Sequence, residues 1–267
     1  MSPTDEEIDD SLRLQAHRAA SGVCLFCLRD DGGFTSREHI FSEGVGNHEY
    51  VLEPGIVCDR CNNGPLARAD EVFYGLPPIT LLRAERGLPT KAGKAVVSKW
   101  GNAQIAFSAP GTMEVLNPGK GATNRMPEPG SSMNGQSGTM DLVSGGPITA
   151  KTIFETCKSI WKSAIELMYW DHGAGAFNPA LDDARAAVIA KDGPAWAVLP
   201  KESEAAAEVT LQYQPRQIGG RLALPVFVSI FGVQFYTDIA RRDLLREEID
   251  PPFEANIWIA DEGRGSA

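Results

Sequence analysis

The stretch that decides the fold runs from Cys24 to Asn63, CLFCLRDDGGFTSREHIFSEGVGNHEYVLEPGIVCDRCNN. It contains two Cys-x-x-Cys pairs, Cys24/Cys27 and Cys58/Cys61, separated by 30 residues. A tight turn in each pair brings two sulfurs to one side of an ion, and four thiolates form the ligand set of structural zinc. The sequence therefore predicts Zn²⁺ on these four cysteines. A redox dithiol is the alternative, but neither pair has the strand-to-helix context of a thioredoxin site.

Composition sets the broad class of the protein. The chain has 267 residues, 43% of them hydrophobic, enough to bury a core in one large domain or two smaller ones. No apolar run approaches the ~20 residues that span a bilayer, and the acidic start, Met1–Asp10, lacks the features of a secretory signal. We therefore expect a cytoplasmic protein with no membrane association, where reduced thiols bind metal.

Charge is distributed unevenly along the chain. The net charge of −10 argues against general nucleic-acid binding. Residues 76–125, however, carry seven basic and only two acidic side chains. This stretch predicts a local phosphate-binding surface, and a chance cluster on a solvated face is the alternative. The candidate nucleic-acid-binding residues are Arg83, Arg86, Lys91, Lys94 and Lys99.

The fold class expected is α+β, in three parts. Residues 1–20 are predicted to be an acidic, partly helical lead-in, and residues 21–76 a zinc-stapled finger. Residues 77–267 are predicted to form an α+β domain with an antiparallel sheet. Within it, residues 117–147 are rich in Gly, Pro, Ser and Asn and are predicted to be a long loop.

Periodicity places the main elements. A helix is expected to begin near Cys58–Cys61 and to run to Val72, with Leu76-Pro77-Pro78 ending that unit. Apolar spacing predicts further helices over Thr149–Tyr169 and Pro179–Ala190. Lys151, Lys158 and Lys162 lie off the apolar stripe of the first of these, so they are expected to contact phosphate or solvent. A hairpin is predicted around Gly101-Asn102. Further strands are predicted over Trp196–Leu199, Val209–Tyr213, Leu222–Ile230, Val233–Thr237 and Ile257–Ala260. A tight turn at Gly232 is predicted to join the third and fourth of these.

A second set of residues lies between and beside the cysteines. A zinc clamp would hold the strand that carries Glu38 and His39 against the helix that starts near Asn62. A hard divalent ion such as Mg²⁺ accepts oxygen ligands, and Glu38 and Asn62 can supply one each. His39, on the other side of the strand, can then deprotonate a water molecule.

These residues resemble a known family. Glu38-His39-Ile40 followed by Cys58-Asp59-Arg60-Cys61-Asn62-Asn63 is similar to the His-Asn-His (HNH) endonuclease superfamily in its zinc-stapled form. The resemblance covers roughly Cys24 to Leu66, about a sixth of the chain. It implies a ββα-metal, treble-clef-like finger and a hydrolase that cuts phosphodiester bonds, usually in DNA, and leaves a 5′ phosphate.

The resemblance also implies residue roles. His39 would be the general base, and Glu38 and Asn62 would ligate a catalytic Mg²⁺ or Mn²⁺, with Asn63 as a weaker alternative to Asn62. Family members usually carry a middle Asn about a dozen residues after the histidine, where this chain has Val51-Leu52-Glu53-Pro54. The earlier Asn47 or His48, or a different group, is expected to take that role.

Three functions remain open at this point. The leading hypothesis is a metal-dependent HNH endonuclease acting on DNA, in host defence or mobile-element biology. The second is a non-catalytic zinc module that binds nucleic acid or a partner protein. The third is a nuclease held inactive until a ligand or partner engages the C-terminal domain, which is also expected to select substrate, form a homo-oligomer or bind a partner protein.

Overall fold

The computed structural model of the protein describes residues 5–90, 92–100, 103–109, 112–117, 150–191, 199–202, 209–218 and 221–240. Its α-helices are α1 (Asp5–Ala20), α2 (Asp59–Cys61), α3 (Ala67–Tyr74), α4 (Pro77–Glu85), α5 (Ala150–His172) and α6 (Asp182–Ile189). A π-helical turn covers Asn62–Leu66, and 3-10 turns cover Glu43–Val45, Gly173–Phe177 and Pro179–Leu181. The strands are β1 (Glu38–His39), β2 (Val51–Leu52), β3 (Ser98–Trp100), β4 (Ala103–Ala109), β5 (Thr112–Asn117), β6 (Leu199–Glu202), β7 (Val209–Tyr213), β8 (Arg216–Ile218), β9 (Arg221–Ala223), β10 (Pro225–Ile230) and β11 (Val233–Asp238).

The described strands pair antiparallel in four small sheets. Their orders are β1-β2, β3-β4-β5, β8-β9 and β6-β11-β10-β7. The prediction of a mixed α+β chain with antiparallel sheet is confirmed. The predicted loop over 117–147 lies outside the described residues except for Asn117, as do the predicted strand Ile257–Ala260 and all of Trp196–Leu199 except Leu199.

The four-stranded sheet contains the predicted tight turn. β10 and β11 form a hairpin in which Ile230 pairs with Val233, and both turn residues, Phe231 and Gly232, have positive φ. Such a turn matches the right-handed twist of its strands. The single strand predicted over Leu222–Ile230 is instead two strands, β9 and β10.

The helix that follows the second cysteine pair is continuous but not regular. It begins as α2, widens into the π-helical turn and continues as α3 to Tyr74. Pro65 lies inside the π turn. Because proline has no N–H to donate to the preceding turn, it explains this local widening; from the sequence, Pro65 fits either a first-turn position or a small kink.

The proline pair after this helix starts a new element. Leu76-Pro77-Pro78 was expected only to end the finger, but α4 begins at Pro77. A proline in the first turn removes no intrahelical hydrogen bond, and its fixed φ suits a helix start. The prediction was therefore correct about the end of α3 and missed the helix beyond it.

α5 is the central helix of the described structure. The helix predicted over 149–169 is confirmed, and it is buried on all sides from Phe154 to Glu166. It packs against α3 and α6 and contacts β7, while Trp161 Nε1 donates to the Thr237 hydroxyl on β11 at 3.3 Å. The expectation that Lys158 and Lys162 would meet phosphate or solvent is wrong, because both side chains are 0% exposed.

One buried cluster joins the finger to the rest of the described chain. It includes the cysteine region, Phe73 of α3, most of the apolar face of α5 and the inner residues of β10 and β11. Phe73 contacts Phe235 of β11 edge to face, with ring centroids 5.2 Å apart. The domain boundary predicted between residues 76 and 77 stays a prediction, but packing is continuous across it.

Among the helices that the structure describes, none combines the length and the apolar character needed to cross a bilayer.

Candidate functional site

The four cysteines of the two Cys-x-x-Cys pairs form one compact group. Their Sγ atoms all lie within 4.8 Å of one another, and those of Cys27 and Cys58 are 3.7 Å apart. Zn–S bonds of about 2.3 Å in a tetrahedron place sulfurs about 3.8 Å apart, so the spacing fits zinc. Within the described part of the chain, this is the one group of three or more Cys, His, Asp or Glu side chains that could hold a metal ion. The predicted set Cys24, Cys27, Cys58 and Cys61 could therefore bind a metal such as zinc.

The electrostatics of the thiols suit a metal ligand set. The backbone amides of Phe26 and Cys58 each donate to Cys24 Sγ at 3.4 Å. The side-chain hydrogen bond from Cys61 lowers the pKa of Cys24 to about 5, while the interaction with Cys24 and burial raise the pKa of Cys61. Burial also raises the pKa of Cys58. Thiols this close ionise together only around a cation, and a bound metal such as zinc would supply that charge.

The first cysteine pair is held in place from α6. The buried guanidinium of Arg185 donates from Nε to the carbonyl of Leu25, between the two cysteines, at 3.0 Å. It also bonds the carbonyls of Ala176 and Asn178 and the carboxylate of Asp182. Burial lowers the pKa of Arg185 to about 10. Sequence reasoning missed this residue, because one Arg on an alanine-rich helix gives no signal of a distant partner.

The second cysteine pair is fastened to the loop that leads into β1. The Asp59 carboxylate accepts the backbone amides of Thr35 at 3.0 Å and Ser36 at 2.8 Å. Hydrogen bonds from Ser36 and Thr35 hold the pKa of Asp59 at about 2. These hydrogen bonds connect the start of α2 to the residues just before β1, the strand that carries Glu38 and His39.

The β1-β2 hairpin is short and is braced by an asparagine. Ile40, next after β1, donates its backbone N–H to the carbonyl of Tyr50 at 3.0 Å. Asn47 Nδ2 donates to the carbonyls of Phe41 at 2.8 Å and Tyr50 at 3.0 Å, and Asn47 Oδ1 accepts the Tyr50 amide at 2.9 Å. Asn47, one of the predicted substitutes for the middle residue, thus bonds the backbone just after His39. The second predicted substitute for the middle residue, His48, has a side chain that is 71% exposed.

Glu38 faces the protein interior. Its side chain is 7% exposed, and Glu38 Oε1 lies 2.7 Å from Lys162 Nζ on α5. The same ammonium group is 2.9 Å from Asp70 Oδ2 on α3 and donates to the carbonyl of His39 at 2.8 Å. Glu38, a predicted metal ligand, therefore forms an ion pair with Lys162 of α5. The sequence did not predict this contact.

His39 lies on the opposite face of the strand, since successive side chains alternate in β structure. The residue is half-buried. Arg37, just before β1, is exposed and pairs with Glu53 at 2.6 Å. Glu38 and His39 thus share one strand but turn toward different surroundings.

Asn62 links the helix to this strand. Its side-chain nitrogen Nδ2 donates to the carbonyl of Arg37 at 2.9 Å. The neighbouring Asn63, the weaker candidate, donates to the carbonyl of Asp59 within its own helix at 3.0 Å and to the Ser36 hydroxyl at 3.5 Å. Both side chains therefore reach the segment that leads into β1, and Asn62 makes the shorter hydrogen bond to it.

A buried ionic cluster surrounds Lys162. Its acidic members are Glu38, Asp70 and Glu166, and Ser159 donates to Asp70 Oδ1 at 2.6 Å. Burial opposes the charge of Lys162, yet the carboxylates of Asp70, Glu166 and Glu38 outweigh burial and hold the Lys162 pKa well above its ordinary value. The sequence pattern did not predict this cluster, although the charged residues Lys158, Lys162 and Glu166 recur at four-residue spacing on α5.

Two residues of the predicted basic surface, Arg83 and Arg86, make contacts within the protein. Arg83 Nε donates to the carbonyl of Gly44 at 2.5 Å, and Arg86 stacks over the Phe231 ring at 4.2 Å. Lys94 is exposed. Lys91 and the side chain of Lys99 lie outside the described part of the structure.

Comparisons with known proteins identify no relative. A scan against models of protein families found no match, and searches of curated proteins and of solved structures found none either. The likeness to HNH enzymes therefore rests on the residues from Cys24 to Leu66 alone.

Proposed function

We propose that the chain is a metal-dependent HNH endonuclease with a ββα-metal, treble-clef-like finger, which hydrolyses phosphodiester bonds in DNA. The observation that carries the proposal is the hydrogen bond from Asn62 Nδ2 to the Arg37 carbonyl. It joins the helix after the second cysteine pair to the strand of Glu38 and His39. Together with the four-cysteine group, this hydrogen bond supports the proposal, because the resemblance calls for a strand, a helix and a group that could bind a structural metal.

In the proposed mechanism His39 accepts the proton of the attacking water. Imidazole suits this role because it exchanges a proton near neutral pH, provided the ring is oriented. The Asn47 brace supports that orientation, since it bonds the carbonyl of Phe41, two residues after His39. Asn47 thereby takes the part of the family's middle residue.

Glu38 and Asn62 are proposed to hold the catalytic Mg²⁺ or Mn²⁺. Both offer oxygen, the ligand atom that these hard ions prefer. Asn62 bonds Arg37 through its amide nitrogen, so the amide oxygen is the atom proposed as the ligand. When bound, the ion would stabilise charge on the phosphate and on the leaving 3′ oxygen.

The cysteine group is proposed to do no chemistry. Its zinc would hold the helix of Asn62 against the strand of His39. Phosphate contacts are proposed for exposed basic residues, among them Lys94 and Arg37, which lies two residues before His39. A setting in host defence or mobile-element biology is proposed on the resemblance alone. A cytoplasmic location is proposed from the cysteine pairs, which bind metal where thiols stay reduced. The second half is proposed to form a homo-oligomer or to bind a partner protein.

Plasmid cleavage with Mg²⁺ or Mn²⁺ tests the function. We expect His39→Ala to lower the rate by about 10²–10⁴-fold, the usual loss of a general base, with unchanged zinc content. The matched control is His48→Ala, which removes the exposed histidine of the same hairpin and is expected to retain full activity. Equal cleavage rates for wild type and His39→Ala would show that His39 is not the general base.

A non-catalytic zinc module that binds nucleic acid or a partner protein is the second candidate. The burial of Glu38 against Lys162 favours it, because a carboxylate engaged in that way is less accessible to a metal. This candidate predicts salt-sensitive DNA binding that needs no added divalent ion. It also predicts no cleavage in Mg²⁺ or Mn²⁺, so the plasmid assay separates the two.

A further inference from the structure

The peptide unit between Leu25 and Phe26 lies inside the first cysteine pair and is hydrogen-bonded at both ends. Its N–H, which belongs to Phe26, donates to Cys24 Sγ at 3.4 Å. Its carbonyl, which belongs to Leu25, accepts from Arg185 Nε at 3.0 Å. A trans peptide unit is planar, and its C=O and N–H point in opposite directions. The hydrogen bond that fixes the carbonyl therefore also fixes the direction of the N–H toward the sulfur.

The guanidinium group of Arg185 is itself fixed by the segment that leads into α6. Its side chain is 1% exposed. Nη1 donates to the Asn178 carbonyl at 3.0 Å and to Asp182 Oδ1 at 2.6 Å, and Nη2 donates to the Ala176 carbonyl. Because the guanidinium is planar and rigid, hydrogen bonds to both Nη atoms set the direction in which Nε points. Residues 176–185 thus determine the orientation of a peptide unit in the cysteine region.

Polarisation adds to this geometric effect. A cation that hydrogen-bonds a carbonyl draws electron density from the peptide unit, so the N–H of that unit becomes a stronger donor. Leu25 is completely buried, and the interaction is therefore strong because little water surrounds it. A sulfur bound to metal carries negative charge, which a stronger N–H···S hydrogen bond stabilises. Arg185 can therefore influence the Cys24 sulfur through one peptide unit.

We propose that Arg185 is a positioning residue for the four-cysteine metal site: through the Leu25–Phe26 peptide it directs a hydrogen bond to the sulfur of Cys24. This inference rests on the structural zinc proposed above and is independent of DNA cleavage. Groups that orient metal ligands by hydrogen bonds typically lower metal affinity 10–100-fold when they are lost. Since Arg185 acts one peptide unit further from the ligand, we expect an effect of about 10-fold.

The test compares two arginines that bind the same carboxylate. Arg18 of α1 donates to Asp182 at 2.7 Å and 2.8 Å and to the Phe177 carbonyl at 3.3 Å. Arg18→Met is the matched control, because it weakens the same region and keeps the hydrogen bond to Leu25. Competition with a chromophoric chelator measures the Zn²⁺ dissociation constant. We expect Arg185→Met to raise this constant about 10-fold and Arg18→Met to leave it within about 3-fold.

The absorption spectrum of the Co²⁺-loaded protein separates positioning from a general loss of stability. Co²⁺ binds in tetrahedral thiolate sites as Zn²⁺ does, and charge transfer from sulfur to Co²⁺ reports the electron density on the ligands. Without its N–H···S hydrogen bond, the Cys24 sulfur becomes a stronger electron donor. We therefore expect the charge-transfer band to move to longer wavelength in Arg185→Met and to stay in place in Arg18→Met.

A charge-matched pair of variants tests the same role if Arg185→Met does not fold. Arg185→Met combined with Asp182→Asn removes one positive and one negative charge, and Asp182→Asn alone is its reference. Circular dichroism reports folding. We expect the double variant to be folded, to bind Zn²⁺ about 10-fold more weakly than Asp182→Asn, and to show the same shift of the Co²⁺ band.

The positioning role would be overturned by equal zinc affinity and an unchanged Co²⁺ spectrum in the folded Arg185 variant, or in the double variant relative to Asp182→Asn. Equal losses of affinity in Arg185→Met and Arg18→Met without a spectral shift would also overturn it, because they would show a purely structural effect. A wild-type protein that binds no Zn²⁺ would overturn this inference together with the zinc site. A wild-type protein that binds Zn²⁺ and does not cleave DNA would contradict the nuclease proposal alone.

Discussion

Gly32 shows how the cysteine group depends on space that only glycine leaves. A Cβ atom at this position would lie 2.6 Å from both Cβ and Sγ of Cys58. Cys58 cannot retreat freely, because its backbone amide bonds Cys24 Sγ. The absence of a side chain at Gly32 thus leaves the space that Cys58 occupies in the four-cysteine group.

We expect Gly32→Ala to reduce zinc content and to lower the free energy of unfolding by about 1–3 kcal/mol, the usual penalty for overpacking. Zinc is measured by atomic absorption and stability by urea unfolding. The control is Gly64→Ala, because an added Cβ there meets no atom within 4 Å. Full zinc content and unchanged stability in Gly32→Ala would contradict the packing argument.

Asn47 shows the limit of motif spacing at the residue scale. The pattern predicted a middle residue about a dozen positions after His39, and none stands there. The Asn47 side chain meets the carbonyls of Phe41 and Tyr50 because the loop folds back over it. Loop geometry, which spacing does not encode, decides which asparagine braces the hairpin.

At the scale of elements, α5 departs most from its sequence pattern. Its apolar stripe predicted a helix with one solvated face, and the helix was correct. The polar face is buried because α3 and the finger cover it, and its charges find partners there: Lys158 with Glu155, and Lys162 with Glu38 and Asp70. Charged residues on one face of a helix give the same sequence pattern whether they are exposed to solvent or buried in ion pairs.

Glu166, on the buried polar face of α5, makes the stability of the protein depend on pH. Burial, with the nearby Glu38 and Asp70, raises the Glu166 pKa well above its ordinary value, although Lys162 opposes the shift. The folded state therefore binds this proton more tightly than the unfolded chain. The resulting stabilisation is complete below about pH 4.3, the unfolded pKa of Glu, and is lost as pH rises through the folded pKa.

We expect Glu166→Gln to gain stability relative to wild type as pH rises from about 5.5 to about 8.5, by at most about 1.4 kcal/mol per pH unit. Urea unfolding at matched zinc and salt measures the difference. Glu71→Gln, on the exposed side of α3, is expected to show no such trend. Parallel pH curves for wild type and Glu166→Gln would rule out a raised pKa.

At the scale of the whole molecule, the finger and the second half share one core. Cys24, Cys58 and Cys61 belong to the same buried cluster as Trp161 and Phe235, and Arg185 on α6 bonds the first cysteine pair. If these cysteines bind the predicted zinc, its loss should therefore destabilise more of the protein than residues 21–76. A finger independent of residues 77–267 would unfold alone.

We expect Cys61→Ser to lose zinc and to reduce hydrogen-exchange protection in α5 as well as in residues 21–76. The reason is that α5 loses the packed surface that covers its polar face. His39→Ala is the control, and it is expected to keep zinc and native exchange throughout. Native protection of α5 in the zinc-free variant would favour two independent domains.

The sequence by itself determined the local features of this protein. Residue spacing and backbone preference act over a few residues. They predicted the two cysteine pairs, the helix through Phe154 and Ile165 and the turn at Gly232. Only the tertiary structure decided which distant groups come into contact: Lys162 with Glu38, Arg185 with Leu25, and Asn47 with the backbone across its loop. These partners are distant in the chain, and burial decides which charges pair.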